Sequence, residues 1–285
     1  MKSSSIISFI GPGVMAEAMI SGLIRQSVAA PNQIMTSGPQ VERGLELQAR
    51  YGTTPFTDNR LAVQGADIIV LSVKPQRLGR VLKGLQGGIA PQALVLSIVA
   101  GVSIQTIQNG LGHLNVVRAM PNTPAQIGAG ITVWTCASTV TPEQNELARQ
   151  ILGAMGEDIF VEEETYLDMA TAVSGTGPAY VFLFLEAMID AGVHLGLPRR
   201  IAEQMVVQTL LGSVEFYRKN KVHPATLRNQ VTSPGGTSAA ALYYLEKAGF
   251  RTAISRAIWA AYERSQELGK GNDANRSLEK PNPSE

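Results

Sequence analysis

The sequence predicts an α/β chain whose first part is a parallel sheet covered by helices on both faces and whose second part is all helical. Three observations carry this. Short β-branched runs alternate with helical stretches through the first half, a glycine-rich turn joins the first strand to the first helix, and the strand signal ends near Glu163. The predicted strands are Ile6–Ile10, Ile34–Thr36, Asp67–Val73, Leu94–Val99, Asn115–Ala119, Ile131–Thr135 and Asp158–Val161. Between them the periodicity predicts helices at Val14–Arg25, Val41–Tyr51, Arg77–Leu85, Ser103–Asn109 and Pro142–Leu152. The unbroken apolar character of Ile68–Val73 and Leu94–Val99 suits strands buried on both faces.

Beyond Glu163 four helices are predicted. Ser174-Gly-Thr-Gly-Pro178 caps the first, Ala179–Leu195, and Gly196 and Pro198 end it. Arg199–Lys219 follows; a third runs from the Ser233–Ser238 turn to Lys247, and a fourth covers Arg251–Leu268. The expected division is residues 1–162 for the sheet domain, 163–269 for the helical domain and 270–285 for a polar, disordered tail with two prolines. Tyr180-Val-Phe-Leu-Phe-Leu185 and Met205-Val-Val-Gln-Thr-Leu-Leu211 are more apolar than a small domain leaves in water, so a homodimer through these helices is expected.

Composition narrows the function. The 285 residues hold 24 Lys plus Arg against 23 Asp plus Glu, scattered without a basic stripe, which argues against a nucleic-acid partner. One cysteine, Cys136, and three dispersed histidines give no metal-ligand spacing, so chemistry without a metal is expected. Cys136 reads as core, and His113, His194 and His223 as structural or solvent-facing, because none stands beside an acid or nucleophile partner. Met1–Ser5 passes directly into an apolar strand and no window holds about 18 uninterrupted apolar residues. A cytoplasmic protein with no membrane partner is therefore expected.

Phe9-Ile-Gly-Pro-Gly-Val-Met-Ala16 sets Gly11, Gly13 and Ala16 in a GxGxxA pattern directly after a strand and before an amphipathic helix. This is the fingerprint of a Rossmann-type domain. The first glycine permits the tight turn, the second lets backbone approach a pyrophosphate, and the small third residue lets helix and strand pack closely. The amides opening the helix, at Val14 and Met15, then face the anion. Where an acidic residue after the second strand would select NAD, this chain has Thr36-Ser37-Gly38-Pro39. NADP(H) is thus favoured, with Ser37 as a donor to the 2′-phosphate and NAD(H) as the alternative. Arg43 has two readings, a contact to that phosphate or a solvated helix charge. Lys74, just after a strand and before Pro75, lies at the carboxyl edge where ligands of such sheets gather.

In the helical half, Ser233-Pro-Gly-Gly-Thr-Ser238 turns sharply into a helix whose first turn carries Thr237 and Ser238. Such a helix end can take a small anion; the spacing alone serves equally for a plain capped loop.

Five motifs in order, the Gly11 turn, Val73-Lys-Pro-Gln76, Ala119-Met-Pro-Asn-Thr-Pro124, Ser174-Gly-Thr-Gly-Pro-Ala-Tyr180 and Ser233-Pro-Gly-Gly-Thr237, resemble the pyrroline-5-carboxylate reductase family over about Ile6 to Leu268. The resemblance implies NAD(P)H-dependent reduction of a cyclic imino acid to proline by a homo-oligomer, a helical dimer that in relatives often forms a ring of five dimers. It implies cofactor contacts at Gly11, Gly13, Val14, Met15, Ser37, Asn59 after a short third strand, Val73, Lys74, Pro75, Ala100, Met120 and Asn122. It places the substrate carboxylate on Ser233, Gly235, Gly236, Thr237 and Ser238, and assigns catalysis to the hydroxyls of Thr237 and Ser238. Ser238 stands where most members have threonine, which keeps the hydroxyl. Glu164 aligns with an acidic position near the substrate, although as one of three successive glutamates it reads equally as surface.

Two other functions fit part of the pattern. A hydroxyacid dehydrogenase of similar architecture needs a basic group on the helical half, and Lys219, Lys221 and Lys247 all lie in polar company. A non-catalytic dinucleotide-binding protein would not need the second glycine loop.

Overall fold

Strands whose residues are all apolar or small must be covered on both faces, and the computed structural model, which describes residues 5–277, builds its sheet around three of them. β1 (Ile7–Ile10), β4 (Ile68–Leu71) and β5 (Leu94–Ser97) are buried along their whole length. β2 (Ile34–Ser37) and the short β3 (Thr54–Phe56) lie to one side; β6 (Val116–Met120), β7 (Gly130–Cys136) and β8 (Gly156–Phe160) lie to the other. The strand order is β3-β2-β1-β4-β5-β6-β7-β8. One apolar cluster fills one face of the sheet, around Phe9, Met19, Leu23 and Trp134, and a second fills the other, around Ile69, Leu82, Ile107 and Val116. The expected two-sided fold is what forms.

The helices on these faces are α1 (Val14–Arg25), α2 (Val41–Tyr51), α3 (Asn59–Val63), α4 (Pro75–Leu85), α5 (Ile104–Leu111) and α6 (Pro142–Gly153). Local chemistry sets their ends. Pro75 opens α4 at a position that needs no amide donor, Gly52 closes α2 in the left-handed region at φ +73°, and Thr141 and Gln144 form a reciprocal capping box on α6.

The sheet departs from the parallel expectation at one pairing, where β7 runs antiparallel to β6. Only Pro121 to Ala129 connect them, with one 3₁₀ turn at Thr123–Ile127, whereas a parallel return needs a crossover of about a dozen residues or more. α6 then supplies a full crossover, and β8 pairs parallel to β7.

After β8 come α7 (Tyr166–Ala170), a π-helical turn at Thr171–Gly175, α8 (Gly177–His194), α9 (Arg199–Asn220), α10 (Pro224–Gln230), α11 (Thr237–Lys247) and α12 (Phe250–Ser277). The short α3, α7 and α10 were not expected. Neither was helix beyond Leu268: α12 runs into the segment predicted as disordered tail, because no proline interrupts the sequence before Pro281. The rest of that tail, 278–285, lies outside the described residues.

The described residues divide into two compact units, 5–176 with 261–277, and 177–260. This division lies after the π-helical turn. The second unit buries few apolar side chains, with Ile189, Ala202 and Val206 at its centre, and leaves Phe182, Leu183, Leu195, Leu211, Tyr244 and Trp259 exposed. An 84-residue span so sparsely cored requires a partner surface. The helical run Tyr166–His194 is long and apolar enough, by length and composition alone, to cross a membrane, although Asp168, Glu186 and Asp190 interrupt its apolar character.

Candidate functional site

In the sheet order β1 has β2 on one side and β4 on the other, and the chain reverses its direction of winding between them. The crevice beyond the carboxyl ends of β1 and β4 is where a doubly wound sheet binds its ligand. Gly11 stands at the end of β1 with φ +93°, and a Cβ there would meet Val73 Cγ1 at 2.5 Å and Val73 backbone at 3.0 Å. Only glycine satisfies both demands. Gly13 is different: a Cβ at this position meets no atom within 4 Å, so its surface is open to a ligand. Gly13 is also the N-cap of α1 and offers no side-chain cap, which leaves the first-turn amides to an anion. These residues fit a dinucleotide pyrophosphate.

The turn's carbonyls point into protein. Gly11 O accepts from Gly13 N at 2.8 Å and from Ser72 Oγ at 2.8 Å, Pro12 O accepts from Arg43 Nε at 3.0 Å, and Gly13 O accepts from Glu17 N at 3.0 Å. Val73 packs against Gly11, Lys74 is the N-cap of α4 and Pro75 its first residue, so this predicted trio lies at the same strand end. Ala100 precedes Gly101 on the turn after β5; Gly101, at φ +74°, lies so close to α12 that a Cβ would stand 2.7 Å from Ser265 O.

The second strand's end refines the cofactor reading. Ser37 is 0% exposed and its hydroxyl donates to Asn59 Oδ1 at 2.7 Å, so it is committed within the protein while orienting the Asn59 amide. Beside it, a cleft of about 270 Å³ is lined by Gln40, Val41, Leu45, Pro55, Phe56 and Leu61, an apolar surface of a size to cover a purine. Asp58 also borders it, its carboxylate accepting from Arg60 N at 2.8 Å as the cap of α3.

Met120 and Asn122 sit where β6 ends. Met120 Cε fills the space above Gly175 in the π-helical turn, and Asn122 Oδ1 accepts from Ile131 N at 2.9 Å, bracing the start of β7. Glu164 is not a free surface acid: its Oε1 accepts from Ile104 N at 2.7 Å and from Arg118 Nη1 at 2.9 Å. Arg118, its side chain 6% exposed, reaches with its other nitrogen to Asp168 at 3.0 Å, which also accepts from Ser265 Oγ at 2.9 Å. This buried network was missed. Its signal was a charged residue inside the apolar strand Val116-Val-Arg-Ala-Met120, which in a buried strand demands partners.

In the second unit, Gly235 adopts φ +72° and Gly236 is the N-cap of α11, again without a side-chain cap. Gly236 N donates to Ser233 O at 3.0 Å, which closes the turn, and the first-turn amides of α11 emerge beside the hydroxyls of Thr237 and Ser238. Ser233, Gly235 and Thr237 are exposed and Ser238 is half-buried, so the loop is accessible to a small acid. Of the lysines a hydroxyacid dehydrogenase would need, Lys221 terminates α9 in the left-handed region and Lys247 lies over the exposed Tyr243 ring, 5.8 Å from its centroid. Among the histidines, buried His113 Nε2 contacts Ala93 O at 2.8 Å and His223 Nδ1 caps α10, both structural as expected. Cys136 is partly buried, and burial pushes its thiol pKa up, only partly offset by a hydrogen bond from Asn145.

Comparison with known proteins agrees with this geometry. Residues 164–268 match the family profile for pyrroline-5-carboxylate reductase dimerisation, and residues 6–101 match one described as NADP oxidoreductase, coenzyme F420-dependent. A pyrroline-5-carboxylate reductase from Synechocystis is 47% identical over 93% of this chain and 98% of its own length. The crystal structure of a Plasmodium falciparum pyrroline carboxylate reductase with NADP bound superposes with a TM-score of 0.87 at 32% identity, covering 94% of this chain and 99% of that one. One from Coxiella burnetii gives 0.84 at 36% identity, covering 93% and 99%. These similarities support NAD(P) binding and self-association for this chain.

Proposed function

We propose that this chain, which belongs to the pyrroline-5-carboxylate reductase family and is an oxidoreductase, reduces L-1-pyrroline-5-carboxylate to L-proline. The observation that carries the reading is the pairing of two uncapped, glycine-opened helix N-termini in one chain. One is shaped for a pyrophosphate at Gly11–Met15; the other is shaped for a carboxylate at Ser233–Ser238 and carries hydroxyls. A hydroxyacid substrate would instead need a base placed in a pocket, and the candidates Lys219, Lys221 and Lys247 are all exposed.

The Gly11 turn, Asn59, Val73 to Pro75 and Ala100 would hold the dinucleotide, with Met120 and Asn122 bordering it. When bound it supplies the hydride. The imine is electrophilic once protonated, so the protein's task is to bind and orient. The first-turn amides of α11 hold the substrate carboxylate, with Ser233, Gly235 and Gly236 shaping the turn and Thr237 adding a hydroxyl. Ser238 accepts a hydrogen bond from the ring N–H; as hydride adds to the C=N carbon and the π pair retreats to nitrogen, the same hydroxyl can turn and donate to the new lone pair. Glu164 acts at one remove, holding the start of α5 through Ile104. NADPH is the favoured donor because no carboxylate ends β2, with NADH the alternative. The helical units pair as a homodimer, and five dimers complete a ring in a soluble, cytoplasmic enzyme. Self-association of the exposed helices explains the apolar run Tyr166–His194 without a membrane.

The test follows nicotinamide absorbance with the cyclic imine, using NADPH and NADH in turn. Oxidation that depends on the imine is expected. The Ser238→Ala enzyme should lose about 100- to 1000-fold in kcat, the range for one positioned donor. Wild-type turnover of a linear hydroxyacid in place of the imine would overturn the substrate, and unchanged kinetics in Ser238→Ala would remove that residue's role.

A further inference from the structure

We propose that Arg43 is a positioning residue for the nucleotide turn, holding the Pro12 carbonyl away from the pyrophosphate, and is not a ligand of a 2′-phosphate. The inference rests on the NAD(P)-binding reading of the Gly11 turn. Arg43 lies on α2 and its guanidinium is spent in three directions within the protein. Nε donates to Pro12 O at 3.0 Å, Nη1 donates to Glu46 Oε2 at 2.7 Å, and Nη2 is paired with Glu17. The geometry requires arginine: a planar fork reaches three acceptors at once, and a lysine ammonium on its single stem cannot reproduce the Nε contact.

The other ends of this clamp are equally tied. Glu17 stands in the first turn of α1, two residues from Met15, and accepts from Tyr51 Oη at 2.9 Å as well as pairing with Arg43 and Arg50. Arg43, Arg50 and Tyr51 all belong to α2, so one carboxylate fastens α2 to the start of α1. Burial opposes the charged forms of both partners. That opposition is overcome, because hydrogen bonds from Arg43 and Tyr51 hold Glu17 below the usual carboxylate range and Glu17 and Glu46 raise Arg43. Gly38 also lies close to Pro12, where a Cβ would stand 2.7 Å from its Cδ.

The consequence for the ligand is electrostatic. An anion at a helix N-terminus is held by amides, and a carbonyl of the same turn that swung outward would repel it. Ser72 restrains the Gly11 carbonyl and Glu17 N the Gly13 carbonyl; Arg43 does this for Pro12, between them. Since every dinucleotide carries the pyrophosphate and only NADP carries the 2′-phosphate, the two roles of Arg43 separate cleanly by cofactor.

The experiment is titration of full-length Arg43→Met with NADPH and with NADH, read by nicotinamide fluorescence, together with hydrogen exchange of the unliganded protein. Both dissociation constants should rise by about tenfold, the scale of one charge-assisted hydrogen bond. Their ratio should stay within about twofold of wild type, kcat at saturating cofactor should hold, and exchange should quicken at Gly13, Val14 and Met15. Arg43→Lys keeps the charge and loses the fork; it should show the same pattern, and it carries the test if Arg43→Met folds poorly. Loss confined to NADPH would overturn the proposal in favour of a phosphate ligand, and unchanged affinity for both would overturn it in favour of a surface charge. Wild-type protein that bound neither cofactor would instead sink the nucleotide reading itself.

Discussion

Arg118 offers the sharpest test of how the first unit is held together. Its guanidinium is almost wholly buried and joins two carboxylates, Glu164 at 2.9 Å and Asp168 at 3.0 Å. Arg118→Met preserves volume but leaves both acids facing one another, with Ile104 N and Ser265 Oγ as their remaining donors. Removing one partner of a buried ion pair costs roughly 3–5 kcal/mol, mainly for the charge left behind. Both acids keep some contact with water, their side chains 32% and 20% exposed. The lower end, about 3 kcal/mol, is therefore expected. At about 2–4 °C per kcal/mol for a unit of this size, Tm should fall by roughly 6–12 °C. Calorimetry at a fixed protein concentration measures this without interference from self-association. A triple variant, Arg118→Met with Glu164→Gln and Asp168→Asn, should recover more than half of the loss, because the unpaired charges are what cost. A single variant within about 2 °C of wild type, or a triple variant no better than the single, would show that the network is not buried as described.

Two further outcomes follow from the nucleotide turn. Gly11→Ala forces a Cβ to within 2.5 Å of Val73 Cγ1 at φ +93°; it should cost about 2–4 kcal/mol and weaken NADPH binding by at least about tenfold, and calorimetric titration showing wild-type affinity would refute the close approach. Glu17 is held below the usual carboxylate range against an opposing effect of burial, by hydrogen bonds from Arg43 and Tyr51 and the charges of Arg43 and Arg50. Its folded pKa is lowered, so its stabilisation is complete above the unfolded value of about 4.3 and is lost as pH falls through the folded one. Urea unfolding of wild type and Glu17→Gln should thus differ at neutral pH and converge in acid below about pH 4; a constant difference across that range would contradict the assignment.

What could be read from the sequence was what is decided locally. The Gly11 turn is specified by backbone conformation and one close approach, and both leave their mark within eight residues. The Ser233–Ser238 loop is similar, a proline, a left-handed glycine and an uncapped helix start in direct succession. The need for a partner was legible as well, because α8 and α9 carry too many apolar residues for one stripe each. The reversal at β7 was less visible, since Ile131–Thr135 reads as a strand whichever way it runs and only the length of its connection decides. Three residues of β3, one of them Pro55, fell below any periodic signal.

Glu164 and Ser37 mark where residue-by-residue reading runs out, and for one reason. A carboxylate or hydroxyl at a ligand-bearing strand end is equally suited to hold the ligand or to hold the frame around it, and the difference lies in partners far along the chain. Ser37 is 22 residues from Asn59, and Glu164 is 46 from Arg118 and 60 from Ile104. No local pattern encodes such distances. What does survive in the sequence is the accounting: a buried arginine in an apolar strand must find acids, and a polar group at a strand end without solvent must find a donor or acceptor. Applied to Arg118, that accounting points to acids elsewhere in the chain, and the two it finds stand on the segment that leads from β8 into the first long helix. The site's frame is therefore built by the same rule that builds the core, with charge in place of apolar area.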